Sequence, residues 1–69
     1  KPFLAVASGV VYASDPVHGR VLAFDTEGKL LWALRDDKNL GYPVGLAVNE
    51  DILYVVDGHS GELIGYRAP

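Results

Sequence analysis

A chain of 69 residues with no cysteine is small for a self-sufficient core, and it lacks the disulfides and thiolate metal sites that reinforce many small domains. The net charge is −3 and the six basic residues are spread singly, which disfavours nucleic acid as a partner. Hydrophobic residues make up 49% of the chain, yet no apolar run approaches the roughly 20 residues of a membrane-spanning helix. We therefore expect no membrane span, and we expect part of the apolar surface to face a partner.

Runs rich in Val, Ile, Tyr and Phe alternate with turn residues about every eight to ten positions, which is typical of strands in hairpins. The first four predicted strands are residues 3–7, 10–14, 20–25 and 29–34. A polar linker follows at residues 35–42. Three further strands are predicted at residues 44–49, 52–56 and 62–67. No helical periodicity competes with this pattern for longer than a turn or two.

The chain contains an internal repeat. Shifting the sequence by 42 positions aligns residues 4–25 with residues 46–67 without a gap, and six of the 22 pairs are identical, where about one is expected by chance. The identical pairs are Leu4 and Leu46, Ala5 and Ala47, Val6 and Val48, Tyr12 and Tyr54, Asp15 and Asp57, and Gly19 and Gly61. The repeat predicts two units. Residues 1–42 form a first four-stranded unit, or blade, with its linker, and residues 43–69 form a second, truncated blade with strands one to three.

Several predicted strands are apolar on both faces, as in residues 20–25 and 29–34. Each such sheet needs a neighbour on both sides. Stacking four-stranded antiparallel meanders face to face meets this need, and the fold class we predict is therefore all-β, made of β-propeller blades repeated every 42 residues. Two blades cannot close a ring, so the expected partners are other copies of the chain or the remaining blades of a parent chain. The absence of methionine agrees with excision from a longer protein.

The segments at residues 11–15 (VYASD), 18–25 (HGRVLAFD) and 27–31 (EGKLL) together resemble an NHL repeat. Glu62 stands where Arg20 stands in the first copy, so a role of that arginine in the family cannot be assumed twice. The segment with Asp25, Gly28 and Trp32 is also similar to quinoprotein-like propellers, although its turn is one residue shorter. Both resemblances imply a propeller, and the NHL resemblance implies a protein- or ligand-binding platform, or for a minority of related propellers a lyase or lactonase.

Loops after the second and fourth strand of a propeller blade open on one face. That arrangement predicts a binding surface, and its candidate residues are His18, Arg20, Lys38, Tyr42 and His59. A protein or a small molecule is the expected ligand.

Metal and catalytic sites are weakly indicated. Asp15 and Asp57 recur after equivalent strands, and they are interpreted either as ligands of a cation or as acceptors of hydrogen bonds from the following turn, which the nearby Gly and Ser residues favour. His18 and His59 lie one position out of register, whereas zinc ligands supplied once per repeat should coincide. We therefore predict no metal, no cofactor and no catalytic residue.

The sequence favours a structural and interaction module that self-associates or completes a larger propeller, and not an enzyme. The alternative is a scaffold fragment of a propeller enzyme of the metal-dependent lyase or lactonase type. A repetitive, cysteine-free β-rich chain slightly favours an extracytoplasmic or secreted location.

Overall fold

The computed structural model describes residues 3–68, and their regular structure is β-strand apart from one short 3-10 helix at Pro16–His18. The strands are β1 (Leu4–Ala7), β2 (Val10–Asp15), β3 (Arg20–Asp25), β4 (Leu30–Arg35), β5 (Pro43–Asn49), β6 (Ile52–Asp57) and β7 (Leu63–Arg67). Every predicted strand is present, and its ends differ from the prediction by no more than one residue. The all-β class is therefore confirmed. Within residues 3–68 there is no helix with the length and hydropathy to cross a membrane.

The strands form two antiparallel sheets. Strands β1 to β4 pair in chain order in a four-stranded sheet, and strands β5 to β7 do the same in a three-stranded sheet. Short turns enforce this meander. Ser8 and Gly9 both adopt positive φ, at 51° and 76°, as the two-residue connection between β1 and β2 requires to match the twist of its strands. The two sheets are separate, and the described residues form no closed ring.

The 3-10 helix lies in the β2–β3 connection, which the sequence predicts only as a loop. Pro16 begins this helix with the φ that its ring imposes, and Gly19 ends it in the left-handed region at φ 65°. A Cβ atom at Gly19 would lie 3.2 Å from the carbonyl oxygen of Gly41. The β2–β3 connection therefore packs directly on the linker between the sheets, which no local pattern indicates.

The two sheets share one core between their inner faces. Its buried members are Tyr12, Val21 and Ala23 from the four-stranded sheet, Leu40 from the linker, and Leu53 and Val55 from the three-stranded sheet. Trp32 on β4 packs against this core and meets Tyr12 edge to face, with ring centroids 5.7 Å apart. Strand β5 lies beside β1 and β2. The linker thus folds the second sheet back onto the first.

The outer faces of both sheets are also apolar. Because side chains alternate along a strand, the residues adjacent to the buried ones point away from the core. The outer face of the four-stranded sheet carries Leu4, Val6, Val11, Ala13, Leu22 and Phe24. The outer face of the three-stranded sheet carries Ala47, Ile52, Tyr54, Val56, Leu63 and Gly65. Leu4, Val6 and Leu63 are 65%, 68% and 65% exposed.

Truncating the centre of the shared core should destabilise the chain. Leu53 is fully buried between the sheets, and Leu53→Ala is expected to lower the free energy of unfolding by about 2 to 5 kcal/mol through lost burial and a cavity. Urea unfolding followed by the fluorescence of Trp32, the single tryptophan, measures this at one fixed protein concentration. The control is Val17→Ala at an 83% exposed site, where a change within roughly 0.5 kcal/mol is expected. Equal stability of the two variants would contradict this account of the core.

Candidate functional site

Three connections meet at one end of the sheets, and we call them together the loop end: residues 15–20 after β2, residues 35–42 after β4, and residues 57–61 after β6. Gly19 abuts the backbone of Gly41, as described above, and a Cβ atom at Gly41 would lie 2.9 Å from Nδ1 of His59. Nη1 of Arg35 donates to the backbone carbonyl oxygen of His18 at 2.9 Å. The loop end is therefore one continuous surface and not three independent loops.

Asp57 organises the loop end. Its buried carboxylate accepts hydrogen bonds from the backbone N–H groups of Tyr42 at 2.8 Å and Gly41 at 3.1 Å, and from the backbone N–H and the hydroxyl of Ser60 at 3.1 and 2.8 Å. These donors, with the Tyr42 N–H the strongest and the Ser60 hydroxyl next, lower the pKa of Asp57 to about 2. One carboxylate thus ties the linker to the connection after β6.

The hydrogen bonds of Asp57 to the linker and to Ser60 bring two aromatic rings together at the surface. Tyr42 and His59 stack with ring centroids 5.1 Å apart and planes 18° apart. Little space is left beside the pair, since a Cβ atom at Gly58 would lie 3.1 Å from Cδ2 of Tyr42. Tyr42 is 40% exposed, so the stacked rings present an amphipathic patch to solvent.

Asp15 plays a different part from Asp57. Nε of Arg20 donates to Oδ2 of Asp15 at 2.8 Å, and Nδ1 of His18 lies 3.0 Å from the same oxygen. Arg20, followed by His18, lowers the pKa of the Asp15 carboxyl. Arg20 also pairs across the sheet with Arg35, so two guanidinium groups lie at neighbouring strand ends. The result is a local cluster that is mainly cationic.

A second link fastens the linker to β7. The Tyr66 hydroxyl donates to Oδ2 of Asp36 at 2.9 Å, and Nδ2 of Asn39 donates to the same oxygen at 3.1 Å. Asn39, followed by Tyr66, lowers the pKa of Asp36, while burial and then the Asp36 bond raise the pKa of Tyr66 to about 12. Asp36 is therefore a structural acceptor in the linker.

Four of the five predicted surface residues are brought together at the loop end by the contacts described above: His18, Arg20, Tyr42 and His59. Lys38 lies exposed in the turn at residues 37–39 of the same linker. Arg35 was missed, because the sequence pattern assigned it to the linker. A basic residue directly after a predicted strand, next to a loop already chosen as a site, was the available signal.

The recurring aspartates each serve their own loop. Asp57 accepts hydrogen bonds from the turn that follows it, as the second interpretation expected, whereas the partners of Asp15 are side chains. Among residues 3–68, no group of three or more His, Cys, Asp or Glu side chains is arranged to hold a metal ion.

No family model, curated protein or solved structure matches the chain.

The low pKa of Asp57 makes stability dependent on pH. A carboxyl whose pKa is about 2 when folded and near 3.8 when unfolded stabilises the fold above the higher value and loses this contribution as the pH falls through the lower one. We expect stability to drop between about pH 5 and pH 2, and Asp57→Asn to be less stable at neutral pH and to show a shallower acid dependence. Urea midpoints over this range measure both effects.

The matched control is Asp37→Asn in the exposed part of the linker, which should keep the parent's stability and its acid dependence. An Asp57→Asn variant with the parent's acid profile would show that Asp57 is not the group that titrates.

Proposed function

We propose that this chain is a structural and interaction module built of β-propeller blade units, which self-associates or completes a larger propeller and offers its loop end as a binding face. The proposal assigns it no catalytic role. The observation that carries it is the apolar outer face on each sheet, because a sheet with two apolar faces has to be covered on both sides.

The extent of the uncovered surface supports an assembly. Leu4 and Val6 on one sheet and Leu63 on the other are each about two-thirds exposed, and each lies among further apolar residues on its face. Contiguous apolar patches of this kind mark interaction surfaces in soluble proteins. A single exposed apolar residue, such as Val17 in the 3-10 helix, does not indicate an interaction surface.

Strand registers support equivalent blade units. Leu4 pairs with Ala13 in the first sheet and Leu46 pairs with Val55 in the second, both 42 positions further on. The same offset relates the β2–β3 pairs to the β6–β7 pairs, for example Val11 with Phe24 and Leu53 with Tyr66. These matching registers support the proposal that the two sheets are equivalent units.

The placement of the sheets also favours the propeller interpretation. The first strand of the second sheet, β5, lies beside the first two strands of the first sheet. In a propeller the first strands of successive blades lie nearest the central axis, so neighbouring blades meet there. A ring of such units needs more blades than this chain contains.

The loop end supports a role in binding. It combines the guanidinium groups of Arg20 and Arg35, which lie beside His18, with the stacked rings of Tyr42 and His59, held by Asp15 and Asp57. Rigidly held aromatic and guanidinium groups are the side chains that most often anchor protein and small-molecule ligands.

The mass of the native particle tests the proposal. Sedimentation velocity at micromolar concentration should give a particle with a mass several times the 7.4 kDa of one chain, and dilution should dissociate it. Circular dichroism on the same sample establishes that the chain is folded. A folded particle with the mass of one chain throughout the concentration range would overturn the proposal.

A further inference from the structure

We propose that a second copy of this chain docks head to tail, with the outer face of its four-stranded sheet packed on the outer face of the three-stranded sheet of the first copy. This inference rests on the proposed self-association and specifies which surfaces meet. Its basis is that the two uncovered faces correspond, over the three strands that both sheets have, to the two faces that already pack against each other inside one chain.

The outer face of the four-stranded sheet corresponds to the inner face of the three-stranded sheet. The pairs separated by 42 positions are Leu4 and Leu46, Val6 and Val48, Val11 and Leu53, Ala13 and Val55, Leu22 and Ile64, and Phe24 and Tyr66. Leu53 and Val55 are fully buried within the chain, and Leu46, Val48 and Tyr66 pack against the same core. The uncovered face thus has the composition of one that is already buried.

The outer face of the three-stranded sheet corresponds to the inner face of the four-stranded sheet. Its pairs are Ala47 and Ala5, Ile52 and Val10, Tyr54 and Tyr12, Val56 and Ser14, Leu63 and Val21, and Gly65 and Ala23. The pattern of large and small residues is retained, with a tyrosine between alanine on one side and alanine or glycine on the other. Tyr12 and Val21 of the inner face are buried against the second sheet.

These correspondences indicate that the partner covering the outer faces is a second copy of the chain. A surface like that of Leu53 and Val55 is complementary to one like that of Tyr12 and Val21, because the chain itself packs these two together. A second copy of the chain supplies both surfaces, one on the outer face of each of its two sheets. Pairing two identical outer faces would instead bring together surfaces with no counterpart in the fold.

Charge does not oppose this contact. The centres of the outer faces are apolar, and the charged residues lie at strand ends: Asp15, Arg20, Arg35 and Arg67. Arg20 is paired with Asp15 and Arg67 with Asp51, while Arg35 donates to the backbone carbonyl oxygen of His18. Docking would therefore bury no isolated charge at the centre of the interface. A head-to-tail contact uses different surfaces on the two copies and leaves one of each free, so it propagates until the stack closes into a ring or grows as an open array.

Two lysine variants test the direction of docking. Val6→Lys blocks the outer face of the four-stranded sheet, and Leu63→Lys blocks that of the three-stranded sheet; both sites are exposed, so the fold should persist. Each variant alone should self-associate at least about tenfold more weakly than the parent, because a buried lysine lacks a partner. Mixed in equal amounts, they should form a discrete 1:1 dimer, since each retains the face that the other needs.

The control is Val17→Lys, an exposed apolar site on neither face, which should assemble like the parent. If the parent assembles but the mixed variants stay monomeric, or if either variant alone assembles as the parent does, head-to-tail docking is wrong while self-association stands. A monomeric parent overturns both. Circular dichroism checks folding, and Val6→Thr with Leu63→Thr provides a milder pair that keeps strand propensity should a lysine variant unfold.

Discussion

Sheets that are apolar on both faces impose the constraint on which the rest of this structure depends. One face of each sheet is covered within the chain, where Tyr12 and Val21 meet Leu53 and Val55 around Leu40 of the linker. The other face of each sheet stays open to solvent. The stabilisation from hydrophobic burial is proportional to the apolar area removed from water, so only part of it is realised inside the chain and the rest depends on a neighbour. Our proposals of self-association and of head-to-tail docking both follow from this imbalance.

The loop end depends on the same packing but uses polar chemistry. Two carboxylates fix the position of the linker between the sheets. Asp57 accepts hydrogen bonds from the backbone N–H groups of Gly41 and Tyr42 at the end of the linker, and Asp36, near its start, accepts them from the Tyr66 hydroxyl on β7 and from the side-chain amide of Asn39. Carboxylates that accept hydrogen bonds from several donors are held ionised, so both contacts are present at neutral pH. The stacked pair of Tyr42 and His59 and the Arg20 cluster are thereby presented on a fixed support.

The strands and the turns were predictable because their causes are local. Val, Ile, Tyr and Phe favour extended backbone, and Gly9, Gly19 and Gly28 supply positive φ between the strands. The 3-10 helix at Pro16–His18 was missed, since a single turn leaves no periodicity to recognise. Of the candidate site, His18, Arg20, Tyr42 and His59 were predicted from loop position, whereas Arg35 was not.

The sequence by itself determined the strand count and the meander order, because hydrophobic alternation and turn chemistry act over neighbouring residues. Only the tertiary structure decided which face of each sheet is buried, that Asp57 binds the linker while Asp15 binds its own loop, and that Tyr42 stacks on His59. A strand that carries apolar side chains on both faces gives no local signal for which face will be buried. That choice arises when the linker brings the two sheets together and Leu40 is enclosed between them.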